Sequence, residues 1–138
     1  MNAKEYLSQI EMLEVRIKNR EEEIQKLKSY SENVSNSIKM RGNRNYKQEG
    51  TFENPIMKIR DLEEINRRDI LELSEKRKEV IQTIELLNNP KYERILYLRY
   101  CQKKTWEEIA VETGKTYQWV NELCKRALKK LEKIINNC

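Results

Sequence analysis

Residues 105–120, TWEEIAVETGKTYQWV, decide how the chain is read. They describe two short helices joined by a tight turn, the second continuing as a basic helix to about Ile135. Thr105 and Glu108 form a T-x-x-E capping box, which gives the first helix its own start signal. Ala110 is small where two helices must cross closely, and Gly114 can take the positive φ that the turn requires. Thr116 is a suitable N-cap for the second helix, and Val120 is a branched apolar residue turned toward a core. This is the spacing of a DNA-binding helix-turn-helix, with Thr116 to about Ile135 as the recognition helix.

Charge supports the assignment. Up to Asn89 there are 17 basic and 17 acidic residues; from Pro90 onward there are 11 and 6. The whole net charge of +5 therefore lies on the segment that holds the helix-turn-helix, the distribution expected of a module that meets phosphates. Charged residues make up 37 % of the 138, above the roughly 25 % usual in globular domains. With three glycines and two prolines, the composition favours long helices with few breaks.

No run is apolar enough to span a membrane, and the N-terminal MNAKEYLSQIEMLEV is too charged for a signal peptide, so a cytoplasmic location is expected. Cys101, Cys124 and Cys138 are widely spaced and there is no histidine, which argues against a zinc site. Cys101 and Cys124 are expected to be partly buried helical thiols and Cys138 a tail residue. Without histidine, a Gly-rich phosphate loop or paired acids off solvated helix faces, enzymatic activity is not expected, and neither is a cofactor.

Gly42, Gly50 and Pro55 bracket a polar loop at about 39–55, and Asn88-Asn89-Pro90 marks a second break. The first helix is predicted from about Ala3 to Ile38. Its heptad seam is Tyr6, Ile10, Leu13, Ile17, Arg20, Ile24, Leu27, Ser31 and Val34. The second is predicted from about Pro55 to Leu87, with Ile56, Ile59, Glu63, Asn66, Ile70, Leu73, Arg77, Val80, Ile84 and Leu87 in its seam and Leu62, Ile65 and Ile81 widening it. The simplest burial of both stripes is an antiparallel coiled-coil hairpin over residues 1–89. Pairing between chains is the alternative, and a hairpin that also forms a homodimer combines the two. Lys39, Arg41, Arg44 and Lys47 make the loop basic, although disorder is the plainer reading of it. Residues 90–138 form the second domain. There a short helix from Lys91 to about Tyr100 packs under the helix-turn-helix, around Ile95, Leu98, Trp106, Ile109, Ala110, Val120, Leu123, Ala127 and Leu131. The fold class is all-α.

On the recognition helix, Tyr117, Gln118, Asn121, Glu122 and Lys125 fall outside that core set. Gln and Asn can pair bidentately with adenine, Glu can accept from cytosine N4, and Tyr117 can contact a thymine methyl or stack on sugar. Thr116 at the helix N-terminus suits a phosphate. Lys103, Lys104, Lys115, Arg126, Lys129 and Lys130 are candidate phosphate contacts, with the case weakest for the last two.

The run ILYLRY, TWEEIA, GKTYQWV and KRALKKLEK resembles region 4 of the primary bacterial sigma factors, which pairs an L-x-x-R-Y helix with a T-x-x-E-I-A helix-turn-helix and an A-L-x-K-L tail. It is most similar to small phage and prophage regulators of the RinA and ArpU late-gene activator type. The resemblance covers Pro90–Lys133 and is architectural over the first two helices. It implies a transcription regulator in the bacterial host cell, associated with the nucleoid, that binds double-stranded DNA and contacts RNA polymerase in one version of the reading. Region 4 is arginine-rich where this chain has Tyr117, Trp119 and Asn121, which points away from an ordinary promoter −35 element. Regions that melt promoter DNA have no counterpart. An adaptor for RNA polymerase or a sigma factor and a small-terminase-like DNA-binding protein are the competing functions.

Overall fold

The computed structural model describes residues 2–41 and 54–137, the side chains of 33–41 excepted. Regular structure among them is entirely helical: α1 (Ala3–Arg41), α2 (Pro55–Glu85), α3 (Pro90–Leu96), a π-helical turn (Tyr97–Cys101), α4 (Trp106–Thr113) and α5 (Tyr117–Asn136). The chain is all-α, with two long helices preceding a small helical bundle. The basic loop with Gly42, Arg44, Lys47 and Gly50, and also Val34 and Cys138 as side chains, lies outside what is described. By packing, Met1–Leu13 with Glu72–Cys138 form one compact unit and Glu14–Leu71 the other.

Local signals set the helix starts. Asn2 Oδ1 accepts from the Glu5 amide at 2.8 Å while the Glu5 carboxylate accepts from the Asn2 amide at 3.3 Å, a reciprocal cap on α1. Pro55 occupies the first position of α2, where its missing N–H costs nothing, and Asn54 Oδ1 accepts from the Ile56 amide at 3.0 Å. Asn88 takes φ 51°, and Asn89 then caps α3 by accepting from the Lys91 and Tyr92 amides.

In the unit Glu14–Leu71, α1 and α2 run antiparallel within one chain. Ile17, Ile24 and Ile59 are buried. Arg20 pairs with Asp69, Lys28 reaches Glu63 at 4.0 Å, and the buried Asn66 donates Nδ2 to the Ile17 carbonyl at 3.2 Å. Ile56 and Ile70, placed in the seam by the heptad reading, remain about half exposed, as do Met57 and Leu71. The contact line on α2 runs through Ile59, Leu62, Asn66 and Asp69, which puts the 56–63–70 ridge on its flank.

The other unit has one aliphatic core. Ala3, Leu7 and Ile10 of α1 and Val80, Ile84 and Leu87 at the end of α2 pack with Ile95, Leu96, Leu98, Cys101, Ile109, Val120, Cys124, Ala127 and Leu131. Trp106, Ala110 and Leu123, expected in the core, are partly buried against it. The base of the helical hairpin is thus part of the bundle. Tyr6 in the α1 seam bonds Glu79 and Thr83, each at 3.1 Å. Arg77 of the α2 seam bonds the Cys101 carbonyl of the π turn at 3.0 Å.

That π turn corrects the expected continuous helix from Lys91 to Tyr100. The α-helical pattern stops at Leu96 and the Gln102 amide donates five residues back, to the Tyr97 carbonyl, at 3.0 Å. The widened turn offers the Cys101 carbonyl to Arg77. It also lets the Lys104 amide reach the Leu98 carbonyl at 3.0 Å, with Lys103 at φ 57° closing the loop.

Candidate nucleic-acid interface

Both halves of the helix-turn-helix are capped as their sequence demands. The Glu108 amide donates to Thr105 Oγ1 at 3.2 Å and the Thr105 amide to the Glu108 carboxylate at 3.1 Å. The bond from the Thr105 amide holds the Glu108 carboxyl below the usual carboxylate range. Gly114 ends α4 in the left-handed conformation, φ 69° and ψ 26°, and the following Lys115 amide donates to the Ala110 carbonyl at 3.1 Å. Nothing lies within 4 Å of where a Cβ would stand on Gly114, so the turn needs glycine for its backbone angle, not for space. Thr116 Oγ1 accepts from the Trp119 amide at 3.0 Å and starts α5.

On α5 the buried residues Val120, Cys124, Ala127 and Leu131 follow steps of four, three and four. Gln118, Glu122, Lys125 and Lys129 repeat those steps and are all exposed. They form the solvent ridge, with Tyr117 at its start and Arg126 beside it, both exposed. This side presents amide, carboxylate, phenol and cationic groups within the first two and a half turns, a donor and acceptor mixture suited to base edges and phosphates. Asn121 is half-buried and lines a cavity with Lys4, Ser8 and Glu11 of α1, beside the ridge.

Several of the candidate cations are held by neighbours, Lys104, Lys115 and Lys130 among them. Lys104 bonds the Glu112 carboxylate, whose other oxygen takes Arg94 at 3.0 Å. The Lys104 bond is the main reason the Glu112 carboxyl lies below its ordinary range. Lys115 sits 5.2 Å from the centre of the Trp119 ring, so that partly buried indole carries a cation on its face. Lys130 donates to the Leu87 carbonyl at 2.8 Å and lies 5.9 Å from the Tyr92 ring, closing the end of α2. Lys130 therefore also braces α5 against the turn that follows α2. Lys103 is exposed and also has a partner within the chain, and Lys125, Arg126 and Lys129 are exposed.

Below the ridge the interior is apolar. Burial pushes the Cys124 thiol up to about 11 and the Tyr100 phenol up to about 12, so both are neutral near pH 7. Cys101 and Cys124 are buried, unbridged thiols, both deeper than the partly buried placement expected from the sequence. Arg99 stacks 4.1 Å from the Trp106 ring centre and bonds the Lys104 carbonyl at 3.0 Å, bracing the loop before α4.

Two capped helices meeting at a left-handed glycine, with a third helix beneath and a polar ridge outward, define a helix-turn-helix module. The family described as "Sigma-70, region 4" matches residues 89–133. That segment is a sigma region 4-like helix-turn-helix, the kind of module found in DNA-binding regulators. No curated protein and no solved structure matches the chain. Among the described residues no helix is long and apolar enough to cross a membrane.

Proposed function

We propose that the chain is a sequence-specific, double-stranded DNA-binding transcription regulator of phage type, cytoplasmic and nucleoid-associated in a bacterial host. In this reading α5 enters the major groove. Tyr117, Gln118 and Glu122 meet base edges, Asn121 stands at the margin, and Thr116, Lys103, Lys125 and Arg126 meet phosphates, with Lys104 and Lys115 available only by leaving Glu112 and Trp119. The observation that carries the reading is the exposed ridge Gln118, Glu122, Lys125 and Lys129 on the capped second helix of a region 4-like module. The concentration of the net charge in the same segment supports it. Neither catalysis nor a cofactor is part of the proposal. Half-exposed Ile56, Met57, Ile70 and Leu71 favour a homodimer through the N-terminal helices.

The test is selection of bound fragments from sheared host and prophage DNA, followed by titration of a recovered site across a salt series. One enriched sequence and a slope of log K against log salt of about −4 to −5, for about five phosphate contacts, are expected. Random recovery with a flat salt response would overturn the proposal. An adaptor for RNA polymerase or a sigma factor is favoured over it only if the chain retains polymerase and not DNA. A gene position immediately upstream of terminase genes would favour late-gene activation, while specific retention of packaging-site DNA would favour the small-terminase role.

A further inference from the structure

The first turns of α1 lie beside the middle of α5. Between them is an open cavity of about 420 Å³ whose charged lining is Lys4, Arg99, Lys103 and Lys125 against the lone carboxylate of Glu11. Ser8 and Asn121 add neutral polar groups, and the buried Leu7 and Cys124 form apolar wall. A second depression shares Lys4 and Lys125 with the first and continues along α5 past Arg126 to Lys129, with Glu122 and Glu132 on it. Asn2 and Ala3 also border it, so the capped, positive end of α1 stands at the same place. The two depressions join into a track from Lys103, through Lys4 and Lys125, to Arg126 and Lys129. This track runs alongside the ridge assigned above to base reading.

An elongated cationic track fits a charged polymer strand better than one small anion, because successive cations can each meet a successive phosphate. The shared residues matter most. Lys125 belongs both to the ridge and to the track, so a duplex engaged by the ridge brings a phosphate strand over Lys125 and hence over Lys4. Lys4 is exposed, and Leu7 on the same helix is fully buried in the bundle core, which holds this part of α1 in place.

We propose that α1 is part of the DNA interface: Lys4, together with Lys103 and Lys125, clamps backbone phosphates beside the groove that α5 enters. The proposal rests on the DNA-binding reading and adds to it a contact from a helix outside the helix-turn-helix. The base of the hairpin then fixes how far along the backbone the recognition helix can sit.

The test uses the full chain and a mixed-sequence duplex, since phosphate contacts do not depend on sequence. Lys4→Gln should make the slope of log K against log salt shallower by about one unit, on cognate and mixed duplexes alike. Lys4→Arg should keep the wild-type slope, and Glu11→Gln should bind more tightly. Lys78→Gln, an exposed lysine on α2 outside both depressions, serves as the control and should change nothing. If Lys4→Gln binds with wild-type affinity and slope while the wild type remains salt-steep, the α1 clamp is wrong and the DNA-binding reading stands. If Lys4→Arg loses as much as Lys4→Gln, the effect is structural and the clamp is again wrong. A wild-type chain that binds no duplex at all removes both.

Discussion

The two units are built from the same kind of long charged helix and are stabilised in opposite ways. In Met1–Leu13 with Glu72–Cys138, aliphatic side chains from every helix meet in one core. In Glu14–Leu71, two helices share a thin seam in which Ile17, Ile24 and Ile59 alternate with Arg20, Asp69 and Asn66. Burial of apolar area favours compactness without choosing a register, whereas a buried amide or an ion pair costs stability and penalises misalignment. The contrast is between a core that fixes compactness and a seam whose alignment is set by polar groups.

The largest effect expected from breaking this contrast is at Leu98, a fully buried residue of the π turn. Leu98→Ala should cost about 2–5 kcal/mol, as core truncations do. Hydrogen exchange should show the lost protection in α3, α4 and α5, with less change over residues 14–71. Next is Gly114→Val. With no steric neighbour, its cost is the left-handed backbone, about 1–2 kcal/mol and more for a β-branched residue, which opens the helix-turn-helix. Gly114→Asn should recover most of the loss in a denaturant melt, because asparagine tolerates this conformation. Equal losses for Val and Asn would mean that the turn is held by something other than φ.

In the other unit the expected sign reverses. Asn66 is buried and its Oδ1 has no partner among the described residues. Asn66→Leu should raise stability by about 1 kcal/mol, because it removes an unsatisfied group from a seam, and should loosen the register of α1 against α2. Cross-linking of cysteine pairs placed at positions 20 and 69 and at shifted registers would detect the loosening. A destabilised Asn66→Leu would show that the bond to the Ile17 carbonyl outweighs the orphaned oxygen.

The smallest effect is with alkali. Tyr100 and Cys124 have folded values of about 12 and 11 against ordinary values of 10.0 and 9.0, both raised first by burial. A raised folded value means that the unfolded chain loses its proton first. The associated stability is therefore fully present below about pH 9 and declines as pH climbs through 11 to 12. Denaturant melts across that window should show this decline, and Cys124→Ala should blunt it. Near pH 7 the buried thiols of Cys101 and Cys124 should resist alkylation until the unit unfolds.

What was legible in the sequence is what local chemistry determines. The Thr105–Glu108 box, the Thr116 cap, the Gly114 turn and the Asn89-Pro90 start each use groups within a few residues of one another. The seams at Ile10, Leu13, Ile17 and Ile24 followed from periodicity alone. Features that depend on a distant partner were not legible. The π turn is maintained by Arg77 twenty-four residues away, and nothing in KYERILYLRYC announces it. Lys130 looked like any basic residue on a basic helix until Leu87 met it. Leu7 lies beside the heptad seam, and Ala3, though in register with it, is too small to mark it, so neither stands out as a residue that brings α1 into the bundle. Lys103, with a positive φ and no glycine or asparagine to signal it, was equally silent.

Under the proposed function, α5 reads sequence through its exposed ridge while neighbouring cations anchor it. A competition assay with cognate and scrambled duplexes at one fixed salt concentration measures this directly, comparing the wild type with Gln118→Ala and Arg126→Ala. Gln118→Ala should lose about 1–3 kcal/mol on the cognate duplex and little on the scrambled one, whereas Arg126→Ala should weaken both alike. A Gln118→Ala chain that discriminates as well as the wild type would contradict it.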